Sequence, residues 1–286
     1  MSTSGSAAAS ASAGASASNT AYDTTPVPVP EHTLIFFFFM TLGFAIFTLI
    51  SIQNSKTIDD IEKTKDASLL TMIYLFIVVL GSYFINTTTS KALCSSSNIK
   101  WTSILLATLL PWIIIFLSLY MILKAFPGWV APFSNTLGYL VIKILGVEEI
   151  LSKLLNKKPP EGDNSELVKA ISNISNNKSN FINQIDIEKK NFYEFIEALQ
   201  NDRIFATTSD DGNSIEDSGL LKDLYKLLVI KNVIGKVTWY ALTGVLVSSV
   251  SYNYIINMSC EKTIDDINRD LAAADSKAIQ YQRDST

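Results

Sequence analysis

Residues 33–52 read TLIFFFFMTLGFAIFTLISI and contain no charged side chain. At about 1.5 Å per residue, a helix of this length crosses the roughly 30 Å hydrocarbon core of a bilayer. A run this apolar, and this long, is not typical of a helix on the surface of a water-soluble domain. The stretch therefore predicts a membrane-spanning helix, whose outward side chains contact lipid rather than water.

Three further uncharged runs follow at residues 67–85, 102–123 and 237–257. The last is more polar, with Ser248, Ser249, Ser251 and Asn253 beside Gly244. Small and hydroxyl-bearing residues in a membrane helix usually face another helix, so we expect this span to be packed against the others. Aromatic side chains at span ends favour the headgroup zone, and they predict the interface anchors Trp101, Trp129, Tyr139 and Trp239.

The predicted fold is an all-α multi-pass membrane protein with about four transmembrane helices, an amphipathic interfacial helix and a small helical soluble region. Pro111 lies in the middle of the third span and predicts a kink there. A re-entrant segment or a fifth crossing by residues 130–150 is the alternative to the interfacial helix. The domains are a disordered Ala/Ser/Pro-rich tail at 1–32, three spans within 33–124, the interfacial segment at 125–156, the soluble region at 157–236, the fourth span at 237–257 and a helical tail at 258–286.

Apolar residues recur at helical spacing through the soluble region. They form either a stripe that packs on the rest of this region or a seam for a partner chain. Two isoleucines of the C-terminal tail extend the candidate contact surface. Its members are Phe181, Ile185, Phe192, Phe195, Leu199, Ile264 and Ile267.

The hexapeptide KTIDDI occurs twice, at residues 56–61 and 262–267, each time shortly after a span. Thr57 and Thr263 suit the N-cap of a new helix, and acidic residues in a first turn complement the helix dipole. Cation binding by the paired aspartates is the less favoured alternative, since adjacent carboxylates point in different directions. The repeat predicts a helix restart at each position.

Basic residues near the spans favour a cytoplasmic position for the large loop. With four spans, nine of them lie on the side of the loops and five on the side of the termini. The loop side has Lys56, Lys63, Lys65, Lys124, Lys143, Lys222, Lys226, Lys231 and Lys236, and the other side has Lys91, Lys100, Lys262, Arg269 and Lys277. The only cysteines, Cys94 and Cys260, are expected to be free thiols, with one disulfide as the alternative.

The composition argues against several classes of function. The net charge is −4, which gives no electrostatic case for nucleic-acid binding. His32 is the only histidine, and no nucleotide-binding, hydrolase or metalloprotease motif is present. The four spans contain no ionisable residue of the kind that proton relays and coupled transporters use. We expect no enzyme activity, catalytic residue, cofactor or metal, and we interpret the acidic stretch 207–218 as a solvated loop rather than a calcium site.

Two segments resemble membrane proteins of nucleocytoplasmic large DNA viruses. They are PWIII at residues 111–115 and FPGWVAPFSNTLGY at residues 126–139, within a similar region that covers roughly 104–145. The resemblance implies a non-enzymatic protein of the virion inner membrane or a host endomembrane, beneath an icosahedral capsid. Its partners would be the lipid bilayer, capsid or other virion proteins, and further copies of itself.

The leading hypothesis is thus a structural membrane protein that links the bilayer to capsid proteins or to itself. The alternatives are a channel or transporter subunit with a pore between helices, and an adaptor that recruits a soluble enzyme. The fourth span discriminates among them, because its polar residues face helices in a scaffold and face water in a pore.

Overall fold

The computed structural model describes residues 31–65, 68–94, 99–156, 165–208, 214–215, 219–258, 268 and 271–272. Most of these residues are helical, and their β-structure is confined to two isolated bridges. Four of the described helices are long and apolar enough to cross a membrane, or five spans result if one bent pair counts as a crossing. The protein is therefore an all-α multi-pass membrane protein, as the sequence predicts.

Three spans precede the loop region. Helix α1 covers Glu31–Asn54, the short helix α2 covers Ile58–Lys65, and α3 covers Ser68–Leu93. Helix α4 runs through Trp101–Ala125. It contains a π-helical turn at Trp112–Leu117, directly after Pro111. Proline has no backbone N–H and crowds the preceding turn. A widened turn thus stands where the sequence predicts a kink.

The phenylalanines of residues 36–39 divide between helix contacts and lipid. An added Cβ at Gly81 in α3 would lie 2.1 Å from the ring of Phe36, and one at Gly244 would lie 2.0 Å from the ring of Phe37. Both rings thus occupy space that only glycine leaves open. Phe38 and Phe39 are exposed on the other side of α1, where the bilayer would cover them.

The segment after α4 differs from the expected interfacial helix. Helix α5, Pro127–Ile144, and helix α6, Val147–Leu154, meet at an angle of 81°. Gly146 at the bend has φ +91°, a conformation that L side chains rarely adopt. The segment is therefore two helical arms joined at a glycine hinge, rather than one continuous helix.

The soluble region divides the predicted apolar stripe among more helices than the sequence indicates. It forms three short helices, α7 at Ser165–Asn176, α8 at Lys178–Gln184 and α9 at Lys189–Asn201. Helix α10 then runs unbroken through Leu220–Asn257, which is 38 residues or roughly 57 Å. The proposed boundary at residue 237 lies inside this helix, so the fourth span and the preceding soluble helix are one element.

Candidate functional site: the junction at the membrane surface

The half of α10 that precedes the span is the centre of the loop-side structure. Leu224, Tyr225, Leu228 and Val229 are completely buried there. Water-exposed helices bury one stripe, so burial around most of the circumference means that other elements surround this half. Those elements are α1, α2, α5, α6, α8 and α9, which share one hydrophobic core with it.

Helix α5 runs antiparallel to α10 at very short range. An added Cβ at Gly235 would lie 2.8 Å from the backbone nitrogen of Ser134, and one at Gly138 would lie 2.3 Å from the carbonyl oxygen of Lys231. Two glycines on opposite helices therefore permit backbone-to-backbone contact, as small residues do in membrane helix pairs. The sequence resemblance includes Gly138, but the matching contribution of Gly235 has no local signature.

Lys231 is the feature that the sequence does not reveal. It is 4% exposed, and its Nζ donates hydrogen bonds to Asn135 Oδ1 at 2.9 Å and Asn183 Oδ1 at 2.8 Å. A buried ammonium is costly unless polar partners surround it. These two partners belong to α5 and α8, and among the described residues none forms an ion pair with it. Lys231 thus fastens both helices to α10 through amide oxygens.

The predicted anchors fall into two groups. Trp129 is 53% exposed, and its carbonyl oxygen accepts a hydrogen bond of 2.8 Å from Trp239 Nε1. Trp101 is 51% exposed at the opposite end of the bundle, with the ammonium of Lys91 5.5 Å from its ring. The indoles therefore lie at span ends on both faces, in positions that suit a headgroup zone.

Tyr139 has a different position from the tryptophans. It is half-buried, and its hydroxyl donates a 2.8 Å hydrogen bond to Glu148 Oε1 across the hinge at Gly146. Lys143 Nζ lies 3.1 Å from the same oxygen. These contacts hold α5 and α6 at their angle. Tyr139 thus stabilises the fold through a contact that requires no lipid headgroup.

The candidate contact surface requires a correction. Ile185, Phe192 and Leu199 are buried within the chain, and Phe181 and Phe195 pack against the same core. The stripe therefore packs on the rest of the soluble region, which was the plainer of the two interpretations. It is not exposed to a partner, because α10 and α6 supply the apolar surface that it covers. Ile264 and Ile267 lie outside the described residues.

The first copy of the repeat caps a helix. Thr57 Oγ1 accepts a hydrogen bond of 3.1 Å from the backbone N–H of Asp60, and Asp60 Oδ2 accepts one of 3.2 Å from the N–H of Thr57. This reciprocal pair is a capping box at the start of α2. Asp59 forms an ion pair with Lys189 of α9, and Ile61 is completely buried. The second copy lies outside the described residues, as do the aspartates of the acidic stretch 207–218.

A polar cluster lies inside the bundle. The Asn86 side-chain amide of α3 donates to Thr108 Oγ1 at 2.8 Å and Ser251 Oγ at 3.0 Å, and Ser251 Oγ donates to the carbonyl oxygen of Ala107 at 2.9 Å. Ser248 is also buried, Ser249 is half-buried, and Asn253 is exposed. The inward residues of the fourth span thus face α3 and α4, as expected for a packed helix.

The state of Cys94 differs from the one expected from the sequence. The sequence favours free thiols, whereas Cys94 is disulfide-bonded. It lies 6% exposed just beyond α3, on the side of the chain termini. Disulfides persist in oxidising environments. The disulfide is therefore the alternative to free thiols that the sequence analysis left open.

Comparison with known proteins identifies no relative: no family model, curated protein or solved structure matches the chain.

Proposed function

We propose that this protein is a structural, non-enzymatic membrane protein that holds a helical layer rigidly on one face of a bilayer and presents it to other proteins. The viral resemblance of residues 104–145 extends the proposal to the membrane of a large DNA virus particle, with capsid proteins or further copies of the chain as partners. The observation that carries the proposal is the single core shared by spanning and extramembrane elements.

The shared core couples the two regions directly. Ile52 at the end of α1, Ile142 of α5 and Phe192 of α9 belong to one cluster of completely buried side chains, together with Tyr225 of α10. A flexible tether gives a partner no fixed orientation, whereas a layer that shares its core with the spans keeps one. Rigid presentation suits assembly contacts, because fewer degrees of freedom are lost when partners bind.

The outward side of the layer is available to partners. Lys190 of α9 is 79% exposed at its side chain and Glu194 is 65% exposed, and they lie 3.8 Å apart. Exposed pairs of this kind add little to folding stability, so their replacement should leave the fold intact. The proposed contact surface is accordingly this charged face, in place of the buried apolar stripe.

The test is cross-linking of the protein in its native membrane or particle, followed by identification of the linked peptides. An amine-reactive reagent should link Lys169 or Lys190 to capsid components or to a second copy. The charge reversal Glu194→Lys should weaken those links. The matched reversal Glu149→Lys, on α6, should not, although that carboxylate is also exposed and ion-paired. Links confined to unrelated membrane proteins, or no effect of Glu194→Lys, would count against the scaffold.

A pore is the second candidate, and one observation favours it. Ser82 Oγ, Asn86 Oδ1, Thr87 Oγ1 and Ser248 Oγ are buried in the bundle with no hydrogen-bond partner within the described chain. Buried polar atoms usually have a partner, and water is a common one. Ion flux through liposomes that contain the protein, abolished by Ser248→Leu but not by Ser249→Leu, would favour the pore. Absence of flux would leave the scaffold as the better account.

A further inference from the structure

A cavity of about 390 Å³ opens on the loop side, where several helices meet the membrane surface. Its walls come from α1, the end of α2, the start of α3, the end of α4 and the middle of α10. Ser68 is the first residue of α3, Lys124 is the last but one of α4, and Lys236 precedes the predicted fourth span. These positions place the cavity at the level of the lipid headgroups.

The polar wall of the cavity is basic. Lys65, Lys124 and Lys236 line it, together with the hydroxyl-bearing residues Thr48 and Thr71, and none of its described lining residues is acidic. Lys65 Nζ donates hydrogen bonds to Glu62 Oε1 at 2.8 Å and to the carbonyl oxygen of Ile187 at 3.1 Å, so its charge is already paired outside the lining. Lys124 is exposed at the end of α4, and Lys236 is half-buried. The Thr48 hydroxyl already donates to the carbonyl oxygen of Phe44. The ammonium groups of Lys124 and Lys236 and the hydroxyl of Thr71 are donors of the kind that a phosphate group requires.

The remaining wall is apolar and points toward the bundle. Phe44, Leu123 and Val237 line this part, and the rings of Tyr120 and Tyr240 extend it. A ligand that is only an anion leaves this wall uncovered, whereas a ligand with a hydrocarbon chain next to its phosphate covers both walls. Basic pockets between membrane helices on the cytoplasmic side are the kind of site that binds anionic lipid headgroups. The volume falls in the range of small-molecule sites.

We propose that this cavity binds the phosphate headgroup of an anionic phospholipid, whose first hydrocarbon segment packs against the apolar wall. The lipid would join α2, α3, α4 and α10 at the membrane surface. The site does not depend on the scaffold proposal, because it requires only that the bundle folds in a bilayer that contains such lipids.

The test measures lipid retention by the full-length protein in mild detergent, with native mass spectrometry and phosphatidic acid titrated against phosphatidylcholine. Wild-type protein should retain phosphatidic acid selectively. A lysine near a membrane phosphate contributes about fivefold to binding, so Lys124→Gln should weaken retention about fivefold and Lys124→Gln/Lys236→Gln at least tenfold. Lys124→Arg/Lys236→Arg should restore much of it.

The matched control is Lys56→Gln/Lys63→Gln. It removes the same charge from the same membrane face, but neither residue lines the cavity. Unchanged lipid retention by the control variant supports a specific site. An equal loss of retention in both double variants would mean that general surface charge attracts the lipid, and it would overturn the proposal. Since Lys124 is exposed, its single variant provides the result even where Lys236→Gln does not fold.

A competition arm distinguishes the source of the phosphate. Glycerol phosphate or inorganic phosphate at millimolar concentration should not displace the lipid, because neither covers the apolar wall. Displacement at concentrations equal to that of the lipid would assign the site to a soluble phosphate compound and overturn the lipid assignment. Equal retention of phosphatidylcholine and phosphatidic acid would overturn the proposal as a whole.

Discussion

The contact between α5 and α10 gives a sharp test through Gly138→Ala. The backbone at Gly138 is helical, with φ −61° and ψ −45°, so alanine suits its conformation. Space is the obstacle: the new Cβ would lie 2.3 Å from the carbonyl oxygen of Lys231, where ordinary contact begins at 3.4 Å. One helix must therefore move by about 1 Å, since a backbone carbonyl cannot rotate away as a side chain does.

The expected destabilisation follows from the groups that this movement separates. Overpacking against backbone costs up to about 3 kcal/mol. The hydrogen bond from Lys231 to Asn135, one helical turn before Gly138, also weakens, and bonds to charged groups contribute roughly 1.5–3 kcal/mol. Alanine recovers about 1 kcal/mol through its higher helix propensity. We expect a net loss of about 3 kcal/mol, or roughly 10 °C in apparent melting temperature.

The assay is unfolding of the purified protein in mixed micelles, by SDS titration and by heating, followed through tryptophan fluorescence. Gly43→Ala is the matched control, because an added Cβ there meets nothing within 4 Å. It should leave stability unchanged or slightly raised. A Gly138→Ala variant within about 0.5 kcal/mol of wild type, a change typical of surface substitutions, would refute the close contact between the two helices.

Three further outcomes are expected. Asn86→Ala should destabilise the bundle by about 1–2 kcal/mol, since it removes two interhelical hydrogen bonds, and SDS titration measures this loss. In the native membrane, a maleimide reagent should modify Cys94 only after reduction, and modification of untreated protein would contradict the disulfide. Partial burial alone would raise the pKa of Asp186, but hydrogen bonds from the Asn191 amide and the Glu188 N–H hold it below its usual value. A carboxyl whose folded pKa is depressed adds its full stability only above its unfolded pKa, which is about 4. Asp186→Asn should therefore lower the melting temperature at pH 7, and the difference from wild type should fade as the pH falls through the folded pKa. A difference that stays constant from pH 7 to pH 2.5 would contradict this.

Hydropathy alone was sufficient to predict the spans, because the bilayer imposes a length and an absence of charge that a single sequence displays. The capping box at Thr57 was predictable for a similar reason, since its partners are three residues apart. Pro111 predicts a kink in α4, whereas the structure has a π-helical turn directly after it, a form that depends on how α4 packs.

Features that depend on distant residues were not predictable in this way. Lys231 looks like any basic residue near a span, and its burial follows from Asn135 and Asn183, which lie 96 and 48 positions away. The apolar stripe ending at Leu199 has the same spacing whether it packs on its own chain or on a partner. The domain boundary predicted at residue 237 falls inside α10, because the change from water to lipid there alters composition without altering backbone geometry.

The unbroken course of α10 has a mechanical consequence. From residue 236 to Leu220 the helix projects about 25 Å beyond the span, at roughly 1.5 Å per residue. A helix without a proline or a π turn bends little, so any tilt of the span within the bilayer reaches the extramembrane layer undiminished. Tilts of a few degrees accompany changes in bilayer thickness. At 25 Å a tilt of about 5° displaces the layer by roughly 2 Å, so bilayer thickness at the spans sets the position of the outer helices.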